Sequence, residues 1–104
     1  MTDTSTLAQA AHSLATVHTP HAARYLSQLC KHFEHKTAVS LDGDTGVIAF
    51  IGMGICDLAA GSEGLALSLT SPDPVQLGKL QDVVGRHLLR FAFREDMAIT
   101  WRAA

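Results

Sequence analysis

Apolar positions along this chain repeat with two different periods. From Ala22 to Phe33 they recur at helical spacing, with Ala22, Tyr25, Leu26, Leu29 and Phe33 forming one stripe. Thr19 fits the N-cap and Pro20 the first helical position, which predicts a helix running to about His35. A second stripe, Leu77, Leu80, Val84, Leu88 and Phe91, follows Asp73-Pro74, and Gln76 is placed for a capping box. Gly78 and Gly85 are expected on the less buried side of this helix. Elsewhere the period is two. Ser13–His18, Thr37–Leu41, Val47–Ile51, Ile55–Ala60 and Leu65–Thr70 read as strands, the last placing Leu65, Leu67 and Leu69 on one face. Met97, Ile99 and Trp101 alternate in an expected final strand, and turns fall at residues 42–46, 52–54 and 61–64.

Short turns between strands argue for antiparallel pairing, and one-sided helices argue for a single helical layer. The expectation is an α+β two-layer sandwich, with two amphipathic helices on one face of a mainly antiparallel sheet of five to six strands. The element order is β-α-β-β-β-β-α-β. Residues 1–11 are small and polar, and are expected to form a flexible tail; residues 12–104 are expected to form one domain.

Composition narrows the partners. With 47% hydrophobic and 17% charged residues the chain has the balance of a packed domain. A formal charge of −2 offers no general attraction to nucleic acid or anionic membrane, although six histidines would turn the balance positive in mild acid. Two cysteines are too few for a disulfide framework, so reduced thiols and a cytoplasmic location are expected. The start shows no signal-peptide pattern, and no stretch reads as a membrane span.

The run from Thr19 to Lys36 crowds His21, Cys30, His32 and His35 into one helix length, which invites a metal reading. Helical geometry weakens it. At about 100° per residue, Cys30 and His32 point roughly 160° apart. His21 and His32 share a face but lie about 16 Å apart along the axis. Only His32 and His35 would converge, and they would need further ligands. His87 sits at the edge of the second stripe and needs a partner for a ring nitrogen. If the helices lie side by side, His87 would approach His32, and Cys56, Asp57 or Glu95 would be available to complete a site for zinc or iron. Arg90 and Arg94, with Lys79 and Arg86, form a basic side of the second helix; it reads as a solvated face or as an anion-binding patch. Arg94-Glu95-Asp96 is expected to make local ion pairs. Gly52-Met53-Gly54 lacks the rest of a dinucleotide fingerprint, and Asp42-Gly43-Asp44 lacks the later acidic ligand of a calcium loop.

The runs TPHAARYLSQLCKHFEHK, GICDL around Cys56, and DVVGRHLLRFAFRE followed by a strand ending in Trp101 resemble one bacterial family, domain of unknown function 2218. The resemblance spans about His12 to Arg102. It implies a small protein without assigned activity, some of whose relatives are joined to, or found beside, flavin-dependent siderophore-interacting reductases. Three functions follow as expectations. The first is a cytoplasmic accessory or binding domain near iron–siderophore utilisation, with a homodimer or a reductase as partner and a ligand patch of His32, His87, Arg90 and Arg94. The second is a metal- or haem-binding protein using His32, His87 and Cys56. The third is a small enzyme with His87 as general base and Arg90 or Arg94 holding an anion. The sequence indicates no particular cofactor, and an enzyme is the less favoured reading.

Overall fold

The computed structural model describes residues 10–103. In chain order the elements are β1 (Ala11–Val17), α1 (Ala22–Phe33), β2 (Ala38–Asp42), β3 (Thr45–Phe50), β4 (Gly54–Gly61), β5 (Gly64–Ser71), α2 (Pro74–Phe91) and β6 (Arg102–Ala103). All strand pairs are antiparallel, and the six-stranded sheet has the order β2-β3-β4-β5-β1-β6. This is the expected α+β sandwich. β1 begins two residues before the expected strand, and the tail expectation for residues 1–9 lies outside the described residues.

Four consecutive strands, β2 to β5, form a meander because their turns are so short. Asp42 still pairs with Thr45, and Gly61 with Gly64, leaving two residues at each bend. Gly64 needs its missing side chain: its φ is +144°, and a Cβ there would lie 2.0 Å from the Val17 carbonyl oxygen. β1 then lies between β5 and β6, so the first and last strands of the domain are neighbours.

One face of the sheet carries both helices. Ala22, Tyr25, Leu26, Leu29, Cys30 and Phe33 of α1 are buried, as are Leu80, Val84 and Leu88 of α2. They meet Leu65, Leu67 and Leu69 of β5, each almost fully buried. Burial of each such leucine contributes about 1.5–3 kcal/mol. Gly46 allows α1 to approach closely, since a Cβ at that position would come within 2.7 Å of Cys30 Sγ.

Helix starts follow their caps. Asp73 accepts from the Gln76 backbone N–H at 2.8 Å, with Pro74 in the first turn. Thr19 Oγ1 accepts from the His21 N–H at 3.1 Å, although the regular helix begins only at Ala22. The C-terminal end of α1 corrects an expectation: the helix stops at Phe33, leaving His35 highly exposed and 3.9 Å from Glu34. His32 and His35 therefore do not share a helical face.

Two other corrections concern the end of the chain. Residues 96–101 keep the alternation of the expected strand, with Met97, Ile99 and Trp101 packed on the core, but only Arg102 and Ala103 join the ladder. Packing against α2 takes precedence there over pairing with β1. For the same reason Gly85 is buried instead of facing outward: Ile99 lies over it, with its Cδ1 3.8 Å from where a Cβ would be.

Candidate functional site

The two helices run antiparallel along a seam that holds polar groups at two places. Near the end of α1, His32 meets His87 of α2, with ring centroids 4.9 Å apart and planes inclined at 45°. Phe33 stands edge-on to both rings, at 4.8 Å from His32 and 4.9 Å from His87, and Phe91 is 5.8 Å from His32. His87 Nδ1 lies 2.7 Å from the Val83 carbonyl oxygen. That carbonyl can only accept, so Nδ1 carries the proton and, in the neutral ring, Nε2 keeps its lone pair. His32 Nε2 is buried and has no hydrogen-bond partner among the described residues. Burial first, and then the charges of His87, Lys36 and Arg90, hold the His32 pKa below its usual value.

The expected approach of His32 and His87 is therefore present, but the other candidates lie elsewhere. Cys56 is sealed in the core on β4, and burial, followed by Asp57 and Cys30, pushes its thiol pKa far up. Asp57 alternates with it and faces the opposite side of the sheet. Among the described residues, no group of three His, Cys, Asp or Glu side chains comes together to hold a metal ion.

Glu95 contradicts the expectation of a local cluster with Arg94 and Asp96. Its carboxylate accepts from Thr19 Oγ1, at 2.8 and 3.0 Å, and from the hydroxyl of buried Tyr25. The Tyr25 bond is the main reason its pKa is lowered; Thr19, His21 and Arg24 act in the same direction, against burial. Tyr25 is raised by burial and then by Glu95. This three-residue latch holds the start of α1 to the segment after α2. Sequence reasoning missed it, yet a signal existed: a tyrosine inside an apolar stripe needs a partner for its hydroxyl.

The expected basic side of α2 is partly neutralised, since Arg86 pairs with Asp82 at 3.0 Å. Arg90 and Arg94 are exposed, and among the described residues neither makes an ion pair. The Arg94 guanidinium stands 5.4 Å from the centroid of the Phe93 ring, and Phe93 is 75% exposed. Leu89 is exposed nearby on α2. Arg94 thus belongs to an outer aromatic patch and Arg90 borders the histidine pair. The four expected ligand-patch residues are split between two places.

Among the described residues, the opposite face of the sheet carries no helix. A hollow of about 440 Å³ there is lined by small residues such as Ala59, Ala66 and Ser68, with Val47 and Leu14 among them.

Residues 14–102 match the family described as "Uncharacterized protein conserved in bacteria (DUF2218)". The chain belongs to this family. It is similar to PA4090 from Pseudomonas aeruginosa, solved by NMR, with 39% identity over 88% of this chain and 95% of that one and a TM-score of 0.74. No curated protein matches it. This DUF2218 domain therefore shares its fold with a solved bacterial relative. No helix among its described residues is long and apolar enough to cross a membrane.

Proposed function

We propose that this DUF2218 chain is a cytoplasmic accessory domain without catalytic activity of its own, which docks on an acidic protein surface through the outer end of α2. The observation that carries this reading is Phe93, largely exposed, with Arg94 stacked over it and Leu89 close by. Exposed aromatic and arginine side chains are the residue types that dominate protein interfaces, and a bulky apolar ring held in water gains from being covered. Arg90 and Arg94, which make no ion pair among the described residues, supply positive charge at the same end. On this reading the partner is a siderophore-interacting reductase, as the family resemblance implies, and the domain works beside iron–siderophore utilisation. The test is calorimetric titration of the purified chain with that reductase. Micromolar binding is expected, weakened at least about tenfold by Phe93→Ala combined with Arg94→Glu. Absence of binding at about 100 μM reductase would overturn the reading.

The histidine pair favours a second reading, binding of a transition metal or haem iron. Its support is the unpartnered His32 Nε2 beside a His87 ring whose Nδ1 is already tied to Val83. Two imidazoles suit zinc or iron, with remaining ligands supplied by solvent or by the ligand itself. Metal content and visible absorption of protein prepared without chelator, alongside His87→Ala, decide it. Stoichiometric metal or haem lost in the variant supports this reading, and none in either protein after reloading ends it. An enzyme using His87 as base is less well served, because the expected anion holder Arg94 is turned to Phe93, away from the histidine pair.

A further inference from the structure

Among the described residues, the open face of the sheet carries two opposite charges that do not pair within the chain. In register, one row of residues crosses all six strands: Ser40, Val47, Asp57, Ser68, Leu14 and Arg102. Among the residues lining the hollow on this face, Asp57 and Arg102 carry the only charges. They stand on β4 and β6, three strand spacings apart, or about 14 Å. That is too far for an ion pair within the chain, and among the described residues neither has one.

A second copy resolves both charges at once. Consider a two-fold axis in the plane of the interface, parallel to the strands and passing between β5 and β1. It carries β4 onto β6 and β5 onto β1. Asp57 of each copy then faces Arg102 of the other, and Leu14 of each faces Ser68 of the other. The contact is isologous, so each pairing occurs twice and the assembly closes at two chains. Ala59, Ala66 and Ser68 keep the centre of the face low, which allows two twisted sheets to stack at the usual spacing of about 10 Å.

We infer that the open sheet face is a homodimer interface, with Asp57 and Arg102 as its reciprocal ion pairs. This uses the side of the molecule opposite the α2 patch and stands independently of the accessory-domain reading.

The test is sedimentation equilibrium of the full chain from about 1 μM to about 1 mM. A species of twice the 11.1 kDa chain mass is expected. Asp57→Arg and Arg102→Asp each set like charges opposite one another, so each is expected to raise the dimer Kd at least tenfold. The double variant restores the pairs in reverse and is expected within about threefold of the original Kd. A monomer throughout, a dimer indifferent to the single changes, or a double variant no better than the singles would each overturn the inference. Amide shifts on dilution of the unaltered protein give a readout that needs no variant to fold. They should concentrate on β4, β5, β1 and β6. Shifts confined to the helices, or to contacts of residues 1–9, would count against a sheet-face dimer.

Discussion

The two polar places in the helix seam differ in how completely they are satisfied. At one end, Glu95 gives its oxygens to Thr19 and Tyr25, so a carboxylate and two hydroxyls are paired together. At the other, His87 has one nitrogen tied to Val83 while His32 leaves a buried nitrogen with no partner among the described residues. A paired buried group contributes to stability, whereas an orphaned one costs free energy and persists where something else uses it. The latch is therefore structural, and the histidine pair is the less satisfied of the two places.

The largest expected effect lies at the latch. Tyr25→Phe keeps the buried ring and removes the hydroxyl, which should cost about 1.5–3 kcal/mol in urea unfolding because the acceptor is charged. A loss below about 0.5 kcal/mol would put the latch on the same footing as the histidines.

Acid should separate the two ends by pH window. Glu95 has a lowered pKa in the fold, so its contribution is present above the ordinary carboxyl value of 4.5 and is lost as pH falls below it. His32 is also lowered, so the unfolded chain takes up its proton first and stability declines once pH drops below about 6.5. Thermal midpoints between about pH 2 and 8 should fall in two stages, and His32→Leu should remove the upper one. A profile unchanged in that variant would mean that another group titrates there.

Smaller again is Gly85→Ala. The new methyl meets Ile99 at ordinary contact distance, so the gain in helix propensity should stabilise by about 0.5–1 kcal/mol. Destabilisation instead would show that the segment crossing α2 is tighter than its 3.8 Å spacing indicates. The smallest change is expected for His32→Leu at neutral pH, within about 0.5 kcal/mol of the original, because no hydrogen bond to Nε2 is lost. A penalty above about 2 kcal/mol would reveal a partner for that nitrogen and weaken the contrast with the latch.

Local signals carried most of the architecture. Both helical stripes, the leucine alternation in β5 and the tight turns of the meander are short-range patterns, and each lies where its period placed it. The approach of His32 to His87 was also accessible, since both flank core stripes on helices expected to share a face. What stayed hidden depends on contacts distant in sequence. Glu95 looked like part of a surface charge cluster because Thr19 and Tyr25 are far from it along the chain. Gly85 looked exposed because helical period alone does not show that Ile99 crosses over it. The charge pattern shared by Asp57 and Arg102 appears only once β1 is known to lie between β5 and β6.

That placement of β1 also governs the order of assembly. β1 precedes both of its partners by most of the domain, because it pairs with β5 on one side and β6 on the other. Strands β2 to β5 need only neighbouring turns to find one another, so this meander can nucleate while β1 is still unpaired. Closing the long loop back to β1 is expected to be the slow step, with the β5 edge open to a strand from another chain until it happens. Amides of β1 should accordingly gain protection last during refolding, and crowded nascent chains should be most prone to exchange this strand.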